Sequence, residues 1–114
     1  MIRVGVHRDE GFRVMVESGE WKIGLLRYSE RFSRLSEMER HLLTDEVFVL
    51  LSGTATLYTD GETLPMERGA VYTVPTAVWH HIVVSEDAQV LVVENRNTAK
   101  ENTEKKYLDE KEKV

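Results

Sequence analysis

Apolar residues recur at every second position through most of this chain, a period of two rather than the 3.6 of an amphipathic helix. Residues 2–7, 12–18, 21–28, 47–51, 54–59, 70–74, 81–84 and 89–94 each read as a short strand, rich in Val, Ile, Leu, Thr and aromatics. Asp60-Gly61 supplies the positive φ that a tight hairpin needs, while Ser52-Gly53, Arg68-Gly69 and Pro75 break the runs between strands. Strands at this spacing predict an all-β sandwich or small barrel. One stretch departs from the pattern. From Ser29 to Leu42 the apolar residues Phe32, Leu35, Met38 and Leu42 recur at helical spacing, which predicts a short helix or an irregular turn.

Two runs carry no alternation at all. Val47-Phe48-Val49-Leu50-Leu51 and Val90-Leu91-Val92-Val93 are apolar on both faces, whereas an antiparallel strand with one wet face should alternate. The second cover must come from the N-terminal strands or from another subunit, and a homodimer is expected. Residues 1–98 form the predicted barrel. From residue 99 to 114 the composition changes: five lysines meet five acidic residues, and Tyr107 and Leu108 are the only sizeable apolar side chains before Val114. This charged C-terminal segment is expected to be frayed or helical.

Charge and composition narrow the function. The 114 residues carry a formal charge of −5, all of it within residues 1–98, so a phosphate-neutralising surface for nucleic acid is not expected. No apolar run approaches the ~18 residues of a membrane span, and no signal-peptide stretch follows Met1, so a cytoplasmic location is expected. With no cysteine, thiolate metal sites and cysteine nucleophiles are excluded, and any metal must sit on His, Asp or Glu. There is no glycine-rich phosphate loop, no Gly-x-Ser-x-Gly elbow and no His-Glu-x-x-His.

Glu39, His41, Glu46 and His80 are the candidates that remain. Residues two apart on an extended strand share a face, so Glu39 and His41 can converge, and Glu46 opens the next apolar strand. His80 begins a later strand, and His81 beside it points the opposite way. Imidazole with carboxylate suits a divalent Mn, Fe, Zn, Ni or Co ion. Taken on spacing alone, the same residues fit a surface ion pair of Glu39 with Arg40 and a strand-edge cap by the two histidines. Strand phase makes Tyr28, Phe48 and Tyr72 the candidate pocket-lining side chains.

Two spacings connect these residues. Glu39-Arg40-His41, then Glu46, then six residues and Gly53 resembles the first cupin motif, His-x-His, three or four residues, Glu, six residues, Gly. Gly69, five residues and Pro75-Thr76-Ala77-Val78-Trp79-His80 resembles the second motif, Gly, five residues, Pro-x-Gly, two residues, His. The resemblance implies a small antiparallel cupin β-barrel, a double-stranded β-helix or jelly roll, often dimeric. It implies one divalent metal ion near the barrel mouth, with His41, Glu46 and His80 at ligand positions. Glu39 stands where the first histidine is expected and would make a fourth, harder ligand. Ala77 replaces a glycine, a change expected to need a negative φ there, and Val84 stands where the second motif often has Asn. The implied activity is that of a metal-dependent oxygenase, isomerase, epimerase or lyase acting on a small polar molecule. The alternative is a metal-free, non-catalytic module that binds or senses a carbohydrate or organic acid.

Overall fold

The computed structural model describes residues 1–109. Ten strands form two five-stranded antiparallel sheets. The first sheet runs β1 (Gly11–Ser18), β2 (Trp21–Arg27), β9 (Gln89–Asn95), β4 (Glu46–Ser52), β7 (Val71–Val74) in spatial order. The second runs β10 (Thr103–Tyr107), β3 (Glu37–His41), β8 (His80–Val84), β5 (Ala55–Thr59), β6 (Thr63–Pro65). The sheets face each other as the two walls of a jelly-roll barrel, and consecutive strands alternate between them from β3 onward except at the β5–β6 hairpin.

The inward phase of each strand builds the core. Leu26, Phe48, Leu50, Leu57, Ile82, Val90 and Val92 pack between the sheets, and Val90 is completely buried. A smaller cluster of Leu35, Met38 and Leu108 closes over the far side of the second sheet, with Tyr58, Trp79 and Val83 against it. Burial of these aliphatic side chains is the main stabilising term, at ~1.5–3 kcal/mol for each one removed fully from water.

Three expectations are corrected. Residues 2–7 belong to no strand, because no backbone among the described residues pairs with them. The stretch expected to be a helix or turn contains only a 3₁₀ turn at Glu30–Phe32, followed by strand β3. Its apolar spacing came from residues that serve two clusters: Phe32 joins the main core, Leu35 and Met38 the outer one. The C-terminal segment is neither frayed nor helical over residues 103–107. It forms β10, which pairs in register with β3 from Thr103 opposite His41 to Tyr107 opposite Glu37. Its charges are satisfied across the strands by Arg40–Glu104 and Lys105–Glu37, and Leu108 is buried. Residues 110–114 of that expectation lie outside the described residues. No helix among the described residues is long and apolar enough to cross a membrane.

Candidate metal centre

Four strands deliver the polar residues to one end of the barrel interior. Glu39 and His41 come from alternate positions of β3, Glu46 from the first position of β4, His80 from the first position of β8, and Glu94 from β9. Register fixes their proximity: Glu39 lies opposite His80, and Glu46 lies opposite Glu94. The turn that presents His80 is tied to β3 by the Ala77 N–H, which donates to the His41 carbonyl at 2.8 Å. Ala77 holds φ +66° to make that bond, so the negative φ expected there is corrected. Alanine sits in the left-handed conformation that costs an L-residue about 1–2 kcal/mol.

Hydrogen bonds settle which nitrogen of each imidazole faces the cluster. The Thr103 hydroxyl donates to the Ala99 carbonyl at 2.8 Å, so its oxygen accepts from His41 Nδ1–H at 3.0 Å. His41 Nε2 therefore points into the cluster. It is buried and without a hydrogen-bond partner, 3.3 Å from Glu46 Oε1 and 3.8 Å from Glu39 Oε1. His80 Nδ1–H donates to the Val78 carbonyl at 2.9 Å, which turns His80 Nε2 to Glu46 Oε1 at 2.9 Å. A neutral imidazole and a carboxylate would meet there acceptor to acceptor. A cation must lie between them, either a proton or a metal ion.

The charge states follow. Burial works to raise Glu46, but its contacts with His41, His80 and Glu94 hold it well below the usual carboxylate range. Burial works to lower His80, and the hydrogen bond and charge of Glu46 outweigh it, so His80 is raised. Burial, reinforced by the neighbouring Glu46 carboxylate, pushes Glu94 up to about 9. Without a metal the cluster is thus a Glu46 carboxylate held by a charged His80 and a protonated Glu94. Lys22, 3.7 Å from Glu94, and Arg31, 2.9 Å from Glu39 and 3.0 Å from Glu37, flank it.

The donor set fits a metal ion. Ligand atoms of Glu39, His41 and His80 lie within 4.8 Å of one another, as do those of His41, Glu46 and Glu94. Two donors around one ion with bonds of about 2.1 Å can be at most ~4.2 Å apart, so small adjustments suffice. Each inward Nε2 is backed by an acceptor on its Nδ1–H, the arrangement that orients metal-ligating histidines.

A cavity of about 570 Å³ opens above this cluster, within the size range of small-molecule sites. Leu26, Phe32, Phe48, Ile82 and Val92 form its apolar wall. Phe12 reaches the mouth because Gly24 lets its ring lie across β2: a Cβ there would stand 2.3 Å from the ring. Phe48 thus lines the cavity, but Tyr28 and Tyr72 do not, and both expectations are corrected. Tyr28 lies past the end of β2 and packs on the core. Tyr72 is on edge strand β7, where its hydroxyl accepts from the Glu67 N–H at 2.7 Å and its ring borders a separate cavity of about 240 Å³. His81 stays out of the cluster. Its Nε2–H donates to the Arg31 carbonyl at 3.0 Å, its ring stacks on Phe32, and burial lowers its pKa.

Sequence reasoning missed Glu94, Arg31 and the C-terminal wall of Ala99, Lys100, Thr103, Lys105 and Tyr107. Glu94 had a signal: once Val90 and Val92 are assigned inward, the next residue in that phase is Glu94. The other residues depend on β10, which charge-rich composition concealed.

The profile of the cupin domain family (Cupin_2) matches residues 33–94, more than half of the chain. No curated protein matches the chain. Among solved structures, a cupin-2 domain protein from Shewanella frigidimarina superposes with a TM-score of 0.66 at 22% identity, covering 80% of this chain and 85% of its own. A variant of Streptomyces Pac13 solved with uridine gives 0.70 at 14% identity, covering 94% and 88%. KdgF from Halomonas sp. gives 0.63 at 14% identity, covering 79% and 81%. At these identities the structural likenesses show a shared fold.

Proposed function

This chain belongs to the cupin domain family, and from that premise we propose that it holds one divalent transition metal ion and uses it to bind and act on a small polar molecule. The observation that carries this reading is the unpartnered, buried Nε2 of His41 beside an Nε2 of His80 that faces a carboxylate. Both nitrogens have their opposite N–H engaged, so neither is free to turn and find another partner. His41, His80 and Glu46 would hold the ion, with Glu39 and Glu94 as further carboxylate donors. Such a set favours Mn, Fe, Zn, Co or Ni. When bound, the ion would supply Lewis acidity, or oxygen activation with a redox metal.

The chain's own side chains favour a ligand with an acidic group. Among the four cations that border the cavity, Lys22, Arg31 and Lys105 already pair with carboxylates of the wall. Lys100 pairs with no carboxylate among the described residues and stands exposed at the mouth, where it would meet a carboxylate or phosphate. The apolar wall of Phe32, Phe48 and Ile82 would exclude water around the rest of the ligand. Glu94 would hold a proton on its carboxyl next to Glu46, at the floor of the cavity. Pac13, which shares the fold, is described as a nucleoside dehydratase and was solved with uridine. Enzyme chemistry on a small cyclic substrate is therefore within reach of a barrel of this size.

A second reading rests on the 2.9 Å contact of Glu46 with His80. Without metal, this charged pair would bind, or exchange protons with, an organic acid or carbohydrate. Elemental analysis of the untagged protein, prepared without chelator, separates the two. About one equivalent of a transition metal per chain, lost in His80→Ala and in His41→Ala, is the expected result. No metal in the wild type, even after incubation with Mn, Fe, Ni and Zn, would overturn the metal reading and leave the second.

A further inference from the structure

The second cavity, of about 240 Å³, lies at the end of the strand order away from β1 and β10. β5 and β6 of one sheet and β7 of the other form its walls, and it shares no lining residue with the cavity above the cluster. Leu57, Leu64, Val74 and Val78 make it largely apolar, and the Tyr72 ring borders it. Its charge is the reverse of its neighbour's. Four cations border the larger cavity, whereas this one has a single carboxylate, Glu62, and no basic residue. Glu62 sits in the β5–β6 turn, where its backbone is fixed. Its carbonyl accepts from the Thr59 N–H at 2.9 Å, and its own N–H donates to Thr59 Oγ1 at 3.1 Å. The Glu62 carboxylate has no hydrogen bond or ion pair among the described residues.

The walls of this cavity are neighbours of the charged side chains in the cluster. Thr59 lies opposite His80 in the β5–β8 pairing, and Val74 lies opposite Glu46 in the β7–β4 pairing. A third link is direct: Val78 supplies the carbonyl that accepts His80 Nδ1–H at 2.9 Å. The Val78 N–H in turn donates to the Pro75 carbonyl at 3.2 Å, and both residues line the cavity. Between them Ala77 holds φ +66° while its N–H reaches the His41 carbonyl. A strained turn of this kind persists only where its surroundings over-determine it. Its Pro75 and Val78 face the cavity, so a molecule packed there bears on the same backbone that orients His80 and ties it to His41.

We propose that this cavity is an effector site for a small amine carrying an apolar ring, and that its occupant acts on the cluster through the 75–78 turn. Volume sets the size. An apolar cavity of about 150 Å³ accepts benzene, so about 240 Å³ takes a six-membered ring with a short amine-bearing arm. It falls below the ~300 Å³ at which sites for drug-sized ligands begin, which excludes larger molecules. Charge sets the class. The ring lies on Leu57, Val74 and Val78, the ammonium meets Glu62 at the rim, and the Tyr72 ring offers a cation–π attraction. An anion of the same shape would meet the carboxylate and find no cation. Packing against Pro75 and Val78 narrows the motion of the turn, so the amine favours the orientation of His80 that the cluster uses. By linkage, a metal ion held there and the amine would tighten each other by the same factor, a consequence that rests on the metal reading of the cluster.

Benzylamine is the probe, with benzyl alcohol as its uncharged match. Titrated into the isotope-labelled, chelator-treated full chain at neutral pH, benzylamine should shift the Thr59, Thr73 and Val78 amide resonances with a dissociation constant of about 1 mM. Benzyl alcohol should bind about fivefold more weakly. Glu62→Gln, at an exposed position, should weaken benzylamine by a similar factor and leave benzyl alcohol unchanged. The His80 ring resonances should move with the same constant in the metal-free protein. Failure to saturate by about 20 mM benzylamine, or shifts centred on the larger cavity, overturns the site. Equal affinity for amine and alcohol, or a Glu62→Gln variant that binds benzylamine unchanged, overturns the amine class. Stationary His80 resonances overturn the coupling, whatever the protein does with metal. In a chelator-competition titration, saturating benzylamine should tighten Zn about fivefold or more, and an unchanged Zn affinity overturns the linkage. A protein that binds no Zn overturns the metal reading alone, because the amide and His80 shifts decide the effector site without it.

Discussion

Replacing Glu94 by glutamine should change how stability depends on pH in a defined direction. Glu94 and Glu46 are cross-strand neighbours on β9 and β4, both buried, and burial together with the Glu46 carboxylate pushes Glu94 up to about 9 from an unfolded value of 4.5. Between those values the native protein keeps a proton that the unfolded chain has released. The native state thus binds more protons, and stability falls as pH rises through the window. At ~1.36 kcal/mol per unit, the interval from pH 5 to pH 8 would cost ~4 kcal/mol. Solvent at the cavity mouth screens part of this, leaving about 2 kcal/mol. Glutamine keeps the size, retains a donor for Glu46 and does not titrate, so Glu94→Gln should lack this loss. Glu46 and His80 titrate in both proteins and largely cancel in the difference. Urea unfolding of chelator-treated wild type and variant at pH 5, 6.5 and 8 measures the effect. The variant should gain about 2 kcal/mol on wild type across the series. Parallel stability curves would refute the assignment of a shared proton to this carboxyl pair.

Thr103→Val removes the acceptor that holds His41 Nδ1–H, and should weaken metal binding at least ~10-fold in a competition titration of the folded variant, with a cost of about 1–3 kcal/mol in stability for the unsatisfied donor. An unchanged affinity would show that the tautomer of His41 does not depend on Thr103. Ala77→Gly should stabilise the protein by up to ~1 kcal/mol in urea unfolding, because relief of the left-handed alanine exceeds the entropy glycine adds to the unfolded chain. Destabilisation would mean that the turn does not feel that strain. Gly53→Ala should cost at least ~2 kcal/mol in the same assay. Gly53 has φ +71°, and a Cβ there would stand 2.6 Å from the Ala88 Cα. Measured neutrality would show that the 85–88 turn moves freely.

The strands of the first sheet were legible because their inner faces are aliphatic and Gly, Asp and Pro mark the turns between them. β2, β4 and β9 each begin or end within about two residues of the expected positions. Strand β3 was not legible, for a reason tied to the site. Its inward residues are Glu39 and His41, and its outward Met38 is buried under Leu108. Lining a polar cavity with one face and a satellite core with the other inverts the usual hydrophobic-in pattern, so the remaining apolar residues mimicked a helix. β10 disappeared for a related reason. Thr103, Lys105 and Tyr107 border the cavity, Lys106 and Arg40 lie over the Trp79 ring, and cross-strand ion pairs replace aliphatic burial.

The same inversion explains which site residues could be found. His41, Glu46 and His80 were accessible because fixed spacings around glycine and proline turns set them, and the backbone of those turns does not depend on what fills the barrel. Glu39 was placed by spacing too, but its role was not, because Arg31 enters from the 3₁₀ turn rather than from a strand. With Arg31 at 2.9 Å, Glu39 already has a charge partner. Arg31 can therefore orient Glu39 towards a cation in the cluster, or hold it away from the cluster. The geometry favours the first: Glu39 Oε2 takes the guanidinium while Oε1 faces His41 Nε2 at 3.8 Å, leaving one oxygen of the carboxylate directed at the cluster. A histidine at this position would have needed no arginine. The pair restores an oriented donor by a different route, with the guanidinium balancing the carboxylate charge.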